Sequence, residues 1–152
     1  MTGENMLNIR PMERSDSEEV IAMMEVFYAS PAVMTNGSRE IFEADVGACV
    51  GGSPYLDGLI FEIDGNTAGY AMLAHGFSTE FGKRCVWIED IYIKPQYRRR
   101  GIGFEFFRRL GEQYPDFVFR LEAERENAAA IALYEKCGFE ELPYLEMIRR
   151  IR

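Results

Sequence analysis

Apolar residues alternate with polar ones along some stretches of this 152-residue chain and recur every three to four positions along others. The change of period marks its elements. Leu7 and Ile9 alternate with Asn8 and Arg10, which predicts a first strand over Met6 to Met12. Ser15-Asp16-Ser17-Glu18-Glu19 opens a helix, with Ser15 or Asp16 as N-cap and the glutamates at the positive end of its dipole. Val20, Met23, Met24 and Phe27 form its apolar stripe, and Pro31 closes the region. A second helix starts near Ser38, with Ile41, Phe42 and Val46 as its buried face, and Gly51-Gly52-Ser53-Pro54 is loop. Leu59 to Ile63 and Ala68 to Ala74 flank the turn Asp64-Gly65-Asn66-Thr67 and predict a hairpin. Phe77 to Lys83 then connects to a further strand, Trp87 to Ile93, which Pro95 ends because it has no N–H to donate.

After that strand, Phe104, Phe107 and Leu110 recur at helical spacing, with Phe106 beside them. Phe117 to Ala123 is another strand, and Asn127 caps a helix through Lys136 that Gly138 terminates. Phe139 to Ile151 is expected to hold one or two final strands, interrupted at Pro143. The order is β, two helices, an antiparallel hairpin with its continuation, then β-α-β-α-β. It predicts an α+β (mixed α/β) fold, and no repeat or linker divides residues 1–152, so a single domain is expected. The segment Trp87 to Glu124 should form a right-handed parallel crossover.

Composition narrows the options. Apolar residues make up 47% of the chain, enough for a packed core rather than disorder. The net charge of -8 argues against a general affinity for nucleic acid. Cys49, Cys85 and Cys137 are an odd set without a C-x-x-C pair, so neither a disulfide framework nor a metal site is expected, and a reducing cytoplasm is the default. The N-terminus carries Glu4 and Arg10 without a long apolar run, so neither leader nor membrane span is expected.

The stretch with the clearest chemistry is Arg98-Arg99-Arg100-Gly101-Ile102-Gly103, where a strand hands over to a helix. The N–H groups of a helix's first turn point outward and its dipole favours negative charge there, which suits a phosphate. Glycine lets backbone approach closely, and arginine can pair with phosphate oxygens through two hydrogen bonds. A solvated arginine run ahead of an ordinary turn is the alternative. A dinucleotide fingerprint is disfavoured because Phe106 stands where its third glycine belongs, and no Gly-Lys-Ser/Thr follows to make a nucleotide-triphosphate loop.

Three features together resemble the GNAT superfamily of N-acetyltransferases. Arg98 to Gly103 is similar to its Arg/Gln-x-x-Gly-x-Gly/Ala coenzyme A signature, and Ile91-Tyr92-Ile93-Lys94-Pro95 is similar to the strand that precedes it. Asn127 through Phe139, Asn-Ala-Ala-Ala-Ile-Ala-Leu-Tyr-Glu-Lys-Cys-Gly-Phe, resembles the family's second conserved segment. The element order fits nearly the whole chain. Ile88-Glu89-Asp90 further resembles the polyamine-type and related small-amine members. Arg99 departs from the pattern, standing where the family often has glycine or another small residue.

The resemblance implies a central mixed sheet of six to seven strands with about four helices, whose central parallel strands splay apart. It implies acetyl-CoA as co-substrate, transfer to an amine by direct attack in a ternary complex, and no metal. The pantetheine arm would bond to the backbone of Ile91, Tyr92 and Ile93 as an added strand does. The pyrophosphate would lie against Arg98, Arg99, Arg100, Gly101, Ile102 and Gly103. Asn127 is an N-cap that the family also places near the pantetheine. Tyr134 would protonate the departing thiolate as general acid. An alkylamine is mostly protonated near neutrality, titrating at about 10.4, so a base is needed, and Glu89 is the candidate. Asp90 points to the opposite face if the strand is regular, and a bulge would reverse that.

From Ser15 to Glu62 there are nine carboxylates and one basic residue, Arg39. That imbalance favours a small cationic amine, polyamine-like, as acceptor. An ordinary acidic surface explains the same count, since several of these glutamates sit at helix starts. An amino acid, an aminoglycoside or a peptide N-terminus as acceptor stays open, as does a homodimer. A catalytically silent acyl-CoA-binding domain is the competing reading.

Overall fold

The computed structural model describes residues 6–151. Strand β1 (Leu7–Pro11) is followed by a 3₁₀ turn and two helices, α1 (Ser17–Tyr28) and α2 (Arg39–Val50). Three strands follow, β2 (Leu56–Ile63), β3 (Asn66–Ser78) and β4 (Lys83–Ile93), then α3 (Ile102–Gln113), β5 (Val118–Leu121) and α4 (Ala128–Lys136). The strands form one sheet in the order β1-β2-β3-β4-β5, antiparallel except for the parallel β4–β5 pair.

Local chemistry accounts for most boundaries. The Ser38 hydroxyl accepts from the Ile41 N–H and starts α2. Asp64 and Gly65 both take positive φ, 52° and 79°, and make the two-residue turn between β2 and β3. Asp16 precedes α1, but its carboxylate accepts from the Arg10 guanidinium at 2.8 and 2.9 Å and from the Glu13 N–H at 2.7 Å. It therefore ties α1 to the end of β1 rather than capping the helix with its side chain.

The sheet is covered on both faces. Val20, Ile21, Met23 and Met24 of α1 and Phe42 and Val46 of α2 pack with Ile60, Tyr70, Met72 and Tyr92 of the sheet. Ile102, Phe106, Phe107 and Leu110 of α3 pack on the other face with Phe61, Leu73, Val86 and Ile88, and Leu133 and Tyr134 of α4 border that cluster. Two expected core residues lie elsewhere. Ile41 is exposed, and Phe104 is 41% exposed while Phe106 takes the interior position. Ile102, Phe106 and Leu110 are spaced four apart and lie on one helical face, whereas Phe104 is about 200° around the helix from Phe106. Its ring instead lies 5.4 Å from the Lys136 ammonium.

The expected final strands are absent from the described residues, so the sheet has five strands rather than six to seven. The residues after Phe139 contribute to neither apolar cluster. A strand exists only through a ladder partner, and the apolar content of Tyr144 to Ile151 finds none; Leu145 is 86% exposed.

One irregularity positions everything that follows. Met72 of β3 faces Asp90, but its neighbour Leu73 faces Ile88, so Glu89 is an extra residue in β4. Val86 and Ile88 point to the α3 face, and beyond the bulge Ile91 and Ile93 do so, while Asp90 and Tyr92 turn to the α1/α2 face. The bulge that could reverse Asp90 is present.

Candidate active site

The β4–β5 ladder runs from Cys85↔Val118 to Ile88↔Leu121 and stops there. From Glu89 onward the edge of β4 that faced β5 has no strand partner among the described residues. Unpaired strand edges can accept an extended chain bearing amides. Ile91, Tyr92 and Ile93 lie along this stretch, and the Ile93 carbonyl already accepts from the Arg98 guanidinium at 2.8 Å.

Beyond β4, Pro95-Gln96-Tyr97 makes a 3₁₀ turn and the arginine loop follows. Arg98 lies 5.6 Å from the Tyr92 ring centroid, and Arg100 donates to the Gln96 carbonyl at 3.1 Å. Arg99 has φ of 63° and no side-chain hydrogen bond or ion pair among the described residues. Gly101 occupies the N-cap of α3 with φ of 78°, and a side chain added there would meet open space. With no cap side chain, the first-turn N–H groups are left for solvent or an anion. Glu105, the acid in that first turn, is engaged by Arg108 and Arg109, whose hydrogen bonds lower its carboxyl to about 2. Gly103 has a packing role as well. A Cβ there would stand 2.7 Å from Leu133 Cδ2, so its absence lets α4 approach α3.

On α4, the Asn127 side chain accepts from the Ala130 N–H at 3.4 Å, as expected of an N-cap. Tyr134 packs edge-on against Phe107 and Phe139. Burial first, then Cys137, pushes its phenol above the usual range, so it holds its proton at neutral pH.

The bulge gathers carboxylates. Asp90 is 3% exposed; its Oδ1 accepts from the Tyr28 hydroxyl and its Oδ2 from the Tyr70 hydroxyl, both at 2.8 Å. Burial raises its proton affinity, and the two phenolic hydrogen bonds oppose that. Glu89 is raised by desolvation and then by the charge of Asp90. Asp45 of α2 is raised to about 6, by burial first, then by the charges of Asp90 and Glu89. Among the described residues no basic side chain pairs with any of the three. Such a group is suited to a bound cation and to a base that takes up a proton near neutrality.

Sequence reasoning named Glu89 and Asp90 but missed Tyr28 and Tyr70 and counted Asp45 only as one acid among nine. Tyr28 is 62 residues from Asp90, and no local signal links them. His75 lies apart, at 2.6 Å from Asp57, where it joins β3 to the start of β2. No group of three or more His, Cys, Asp or Glu among the described residues could hold a metal, and no helix among them is long and apolar enough to cross a membrane.

Comparison with known proteins agrees with this geometry. The model of the Acetyltransferase (GNAT) family matches residues 18–139. A thialysine N-epsilon-acetyltransferase of Sus scrofa is 29% identical over 91% of this chain and 86% of its own. Among solved structures, a "possible acetyltransferase" from Clostridium difficile 630 superposes with a TM-score of 0.80 at 19% identity, covering 96% of this chain and 98% of that one. AAC(6')-Iy in complex with the bisubstrate analogue CoA-S-monomethyl-acetylneamine gives a TM-score of 0.76 at 19% identity, covering 97% and 99%. These two show the shared fold, and the family match spans most of the chain, the open β4 edge and the arginine loop included: this protein belongs to the GNAT acetyltransferase family and transfers an acetyl group from acetyl-CoA to an amine.

Proposed function

We propose that the acceptor is a small cationic primary amine, acetylated by direct attack within a ternary complex. The observation that carries this reading is the meeting of Asp45, Glu89 and Asp90 at the end of the β4–β5 ladder without a basic partner. The named relatives point the same way. One is named for acetylating the ε-nitrogen of thialysine, and one fold neighbour was solved with an acetylneamine analogue.

In this reading the open edge at Ile91, Tyr92 and Ile93 takes the pantetheine amides, with Asn127 nearby, and Arg98 to Gly103 takes the pyrophosphate. Acetyl-CoA supplies the activated acyl carbon. Glu89, its proton affinity raised by burial and then by Asp90, accepts one proton from the ammonium directly or through water, and the freed amine attacks the acyl carbon. As the C–N bond forms and the C–S bond breaks, Tyr134 protonates the leaving thiolate, and the second proton shed by the nitrogen returns to the phenol. Residues 1–152 serve as one domain, a reading that the family match across residues 18–139 supports. The three cysteines are free thiols, in keeping with a reducing cytoplasm. A homodimer would have the exposed apolar side chains of Leu145, Met147 and Ile148 to use.

The test is the ratio of specificity constants for spermidine and an uncharged amine of similar length, at low and high salt. Spermidine should be preferred, and the preference should shrink as salt rises. A preference for the uncharged amine that salt leaves unchanged would refute the cationic acceptor.

A further inference from the structure

The buried carboxylate of Asp90 moves no proton in the steps above, yet β4 is distorted to place it. Were β4 regular, Asp90 would share a face with Val86 and Ile88 and enter the apolar cluster beneath α3. An unpaired carboxylate there would be strongly unfavourable. The extra residue at Glu89 turns it to the other face, where a phenol from α1 and one from β3 each meet one of its oxygens. A one-residue register change flips every later side chain, so the two hydrogen bonds favour the bulged register over the regular one.

We propose that Tyr28 and Tyr70 are positioning residues that clamp the Asp90 carboxylate on the α1/α2 face, and that this fixed charge and the bulge it pins orient and tune Glu89. The inference rests on the reading of Glu89 as proton acceptor, and it names the residues that make Glu89 fit for that task. The phenols serve as donors throughout the working range, because burial first, and the charge of Asp90 next, pushes both far above the usual tyrosine value. The charged and titratable groups facing Asp90 are Tyr28 from α1, Asp45 and Cys49 from α2, Tyr70 from β3 and Glu89 in β4 itself. Glu89 also faces Glu122, just beyond β5. None is basic. No basic side chain among the described residues pairs with Asp90, and the two phenols that donate to it favour its ionised form; that charge favours the protonated form of Glu89, the direction a base working near neutrality requires.

The test is a carbon-13 NMR titration of carboxyl-labelled protein without any acceptor, with Glu89 and Asp90 assigned through Glu89→Gln and Asp90→Asn. Asn is nearly the same shape as Asp and can still accept from one phenol, so Asp90→Asn removes the charge while keeping a contact. In it the Glu89 midpoint should fall below its wild-type value. Tyr28→Phe and Tyr70→Phe should each raise the Asp90 midpoint, because each removes one donor to the ionised form. An unmoved Glu89 in folded Asp90→Asn would overturn the proposal. So would phenylalanine variants that lose thermal stability while both midpoints stay in place, which is the signature of packing alone. Should Asp90→Asn not fold, Asp90 is assigned instead by correlating its carboxyl carbon with its own backbone amide, and the two phenylalanine variants decide through it. A second arm follows acetylation of spermidine against pH. The acid limb of kcat/KM should follow the Glu89 midpoint from wild type to Asp90→Asn. If the NMR midpoint moves and the limb does not, the base is another group and the clamp stands; if spermidine is not acetylated, the acceptor reading fails and the titration is unaffected.

Discussion

Arg99→Gly should make the protein more stable and its cofactor binding weaker. Arg99 holds φ of 63°, in the left-handed region where a side chain costs roughly 1–2 kcal/mol. Glycine removes that strain, and its extra freedom in the unfolded chain returns about 0.5–1 kcal/mol of it. The net gain is about 0.5–1 kcal/mol, which for a chain of this size raises Tm by roughly 1–4 °C. Arg99 has no side-chain partner among the described residues, while Arg98 donates to the Ile93 carbonyl at the end of β4 and Arg100 to the Gln96 carbonyl. If the strained arginine is held for a phosphate, losing one exposed ion pair should weaken coenzyme A binding by about 1 kcal/mol, roughly fivefold, and less at high salt. Thermal unfolding without ligand and calorimetric titration with coenzyme A at two salt concentrations measure the two effects separately. A lower Tm would refute the strain argument. Unchanged affinity at both salt concentrations would show that Arg99 points to solvent.

Other substitutions probe the remaining parts. Gly103→Ala places a methyl 2.7 Å from Leu133 Cδ2, which must turn aside, and the helix preference for alanine offsets part of the strain, so the net loss should be about 1 kcal/mol; Leu133→Ala in the same chain should recover part of this, and additive losses in denaturant unfolding would exclude the contact. Tyr134→Phe keeps the ring contacts with Phe107 and Phe139, so stability and coenzyme A affinity should hold while kcat falls about 10²–10⁴-fold; wild-type kcat would rule out the acid role. Asp45 titrates at about 6 in the folded protein against an ordinary 3.8, so the folded state binds the extra proton and stability falls as pH rises between those values. Asp45→Asn should therefore raise Tm at pH 8 and leave it nearly unchanged at pH 3, and a pH-independent difference would contradict the assignment.

Features written in adjacent residues were legible from the sequence. Asp64-Gly65 made the turn, Ser38 and Asn127 capped the helices they precede, and the arginine loop led into a helix N-terminus. Errors arose where an outcome depends on a distant partner. Phe104 and Phe106 are equally apolar, and only the sheet and α4 decide which of them α3 buries. Tyr144 to Ile151 has strand-like content, but pairing makes a strand, and no ladder forms there. The bulge at Glu89 is a property of two strands in register, so the sequence of β4 alone could only raise it as a condition. Tyr28 and Tyr70 reach Asp90 across 62 and 20 residues, and nothing in either neighbourhood announces the contact.

The bulge and the arginine loop lie on one continuous segment, which raises the question of whether their opposite charges cancel. Glu89 and Ile93 are four residues apart in an extended strand, about 13 Å, and the arginines lie farther on. The Debye length at physiological ionic strength is about 8 Å, so where solvent reaches between them the two groups are largely screened from one another. The same screening limits the influence of the net charge of -8: an anionic cofactor bound at the loop as proposed would meet chiefly the arginines and the first turn of α3. In the reading proposed above, an ammonium at the bulge would meet Glu89 and Asp45 with the buried Asp90 behind them, and would relieve their mutual repulsion. Binding there should be linked to protons, because a cation that favours the ionised carboxylates lowers the pH at which they titrate. Acceptor affinity should therefore weaken as pH falls through the Asp45 value of about 6, while affinity for 3′-dephospho-coenzyme A, whose pyrophosphate stays ionised throughout, is little changed over the same interval. Parallel calorimetric titrations with spermidine and 3′-dephospho-coenzyme A between pH 5 and 8 measure this, and equal pH dependence for the two ligands would show that the charge groups do not act independently.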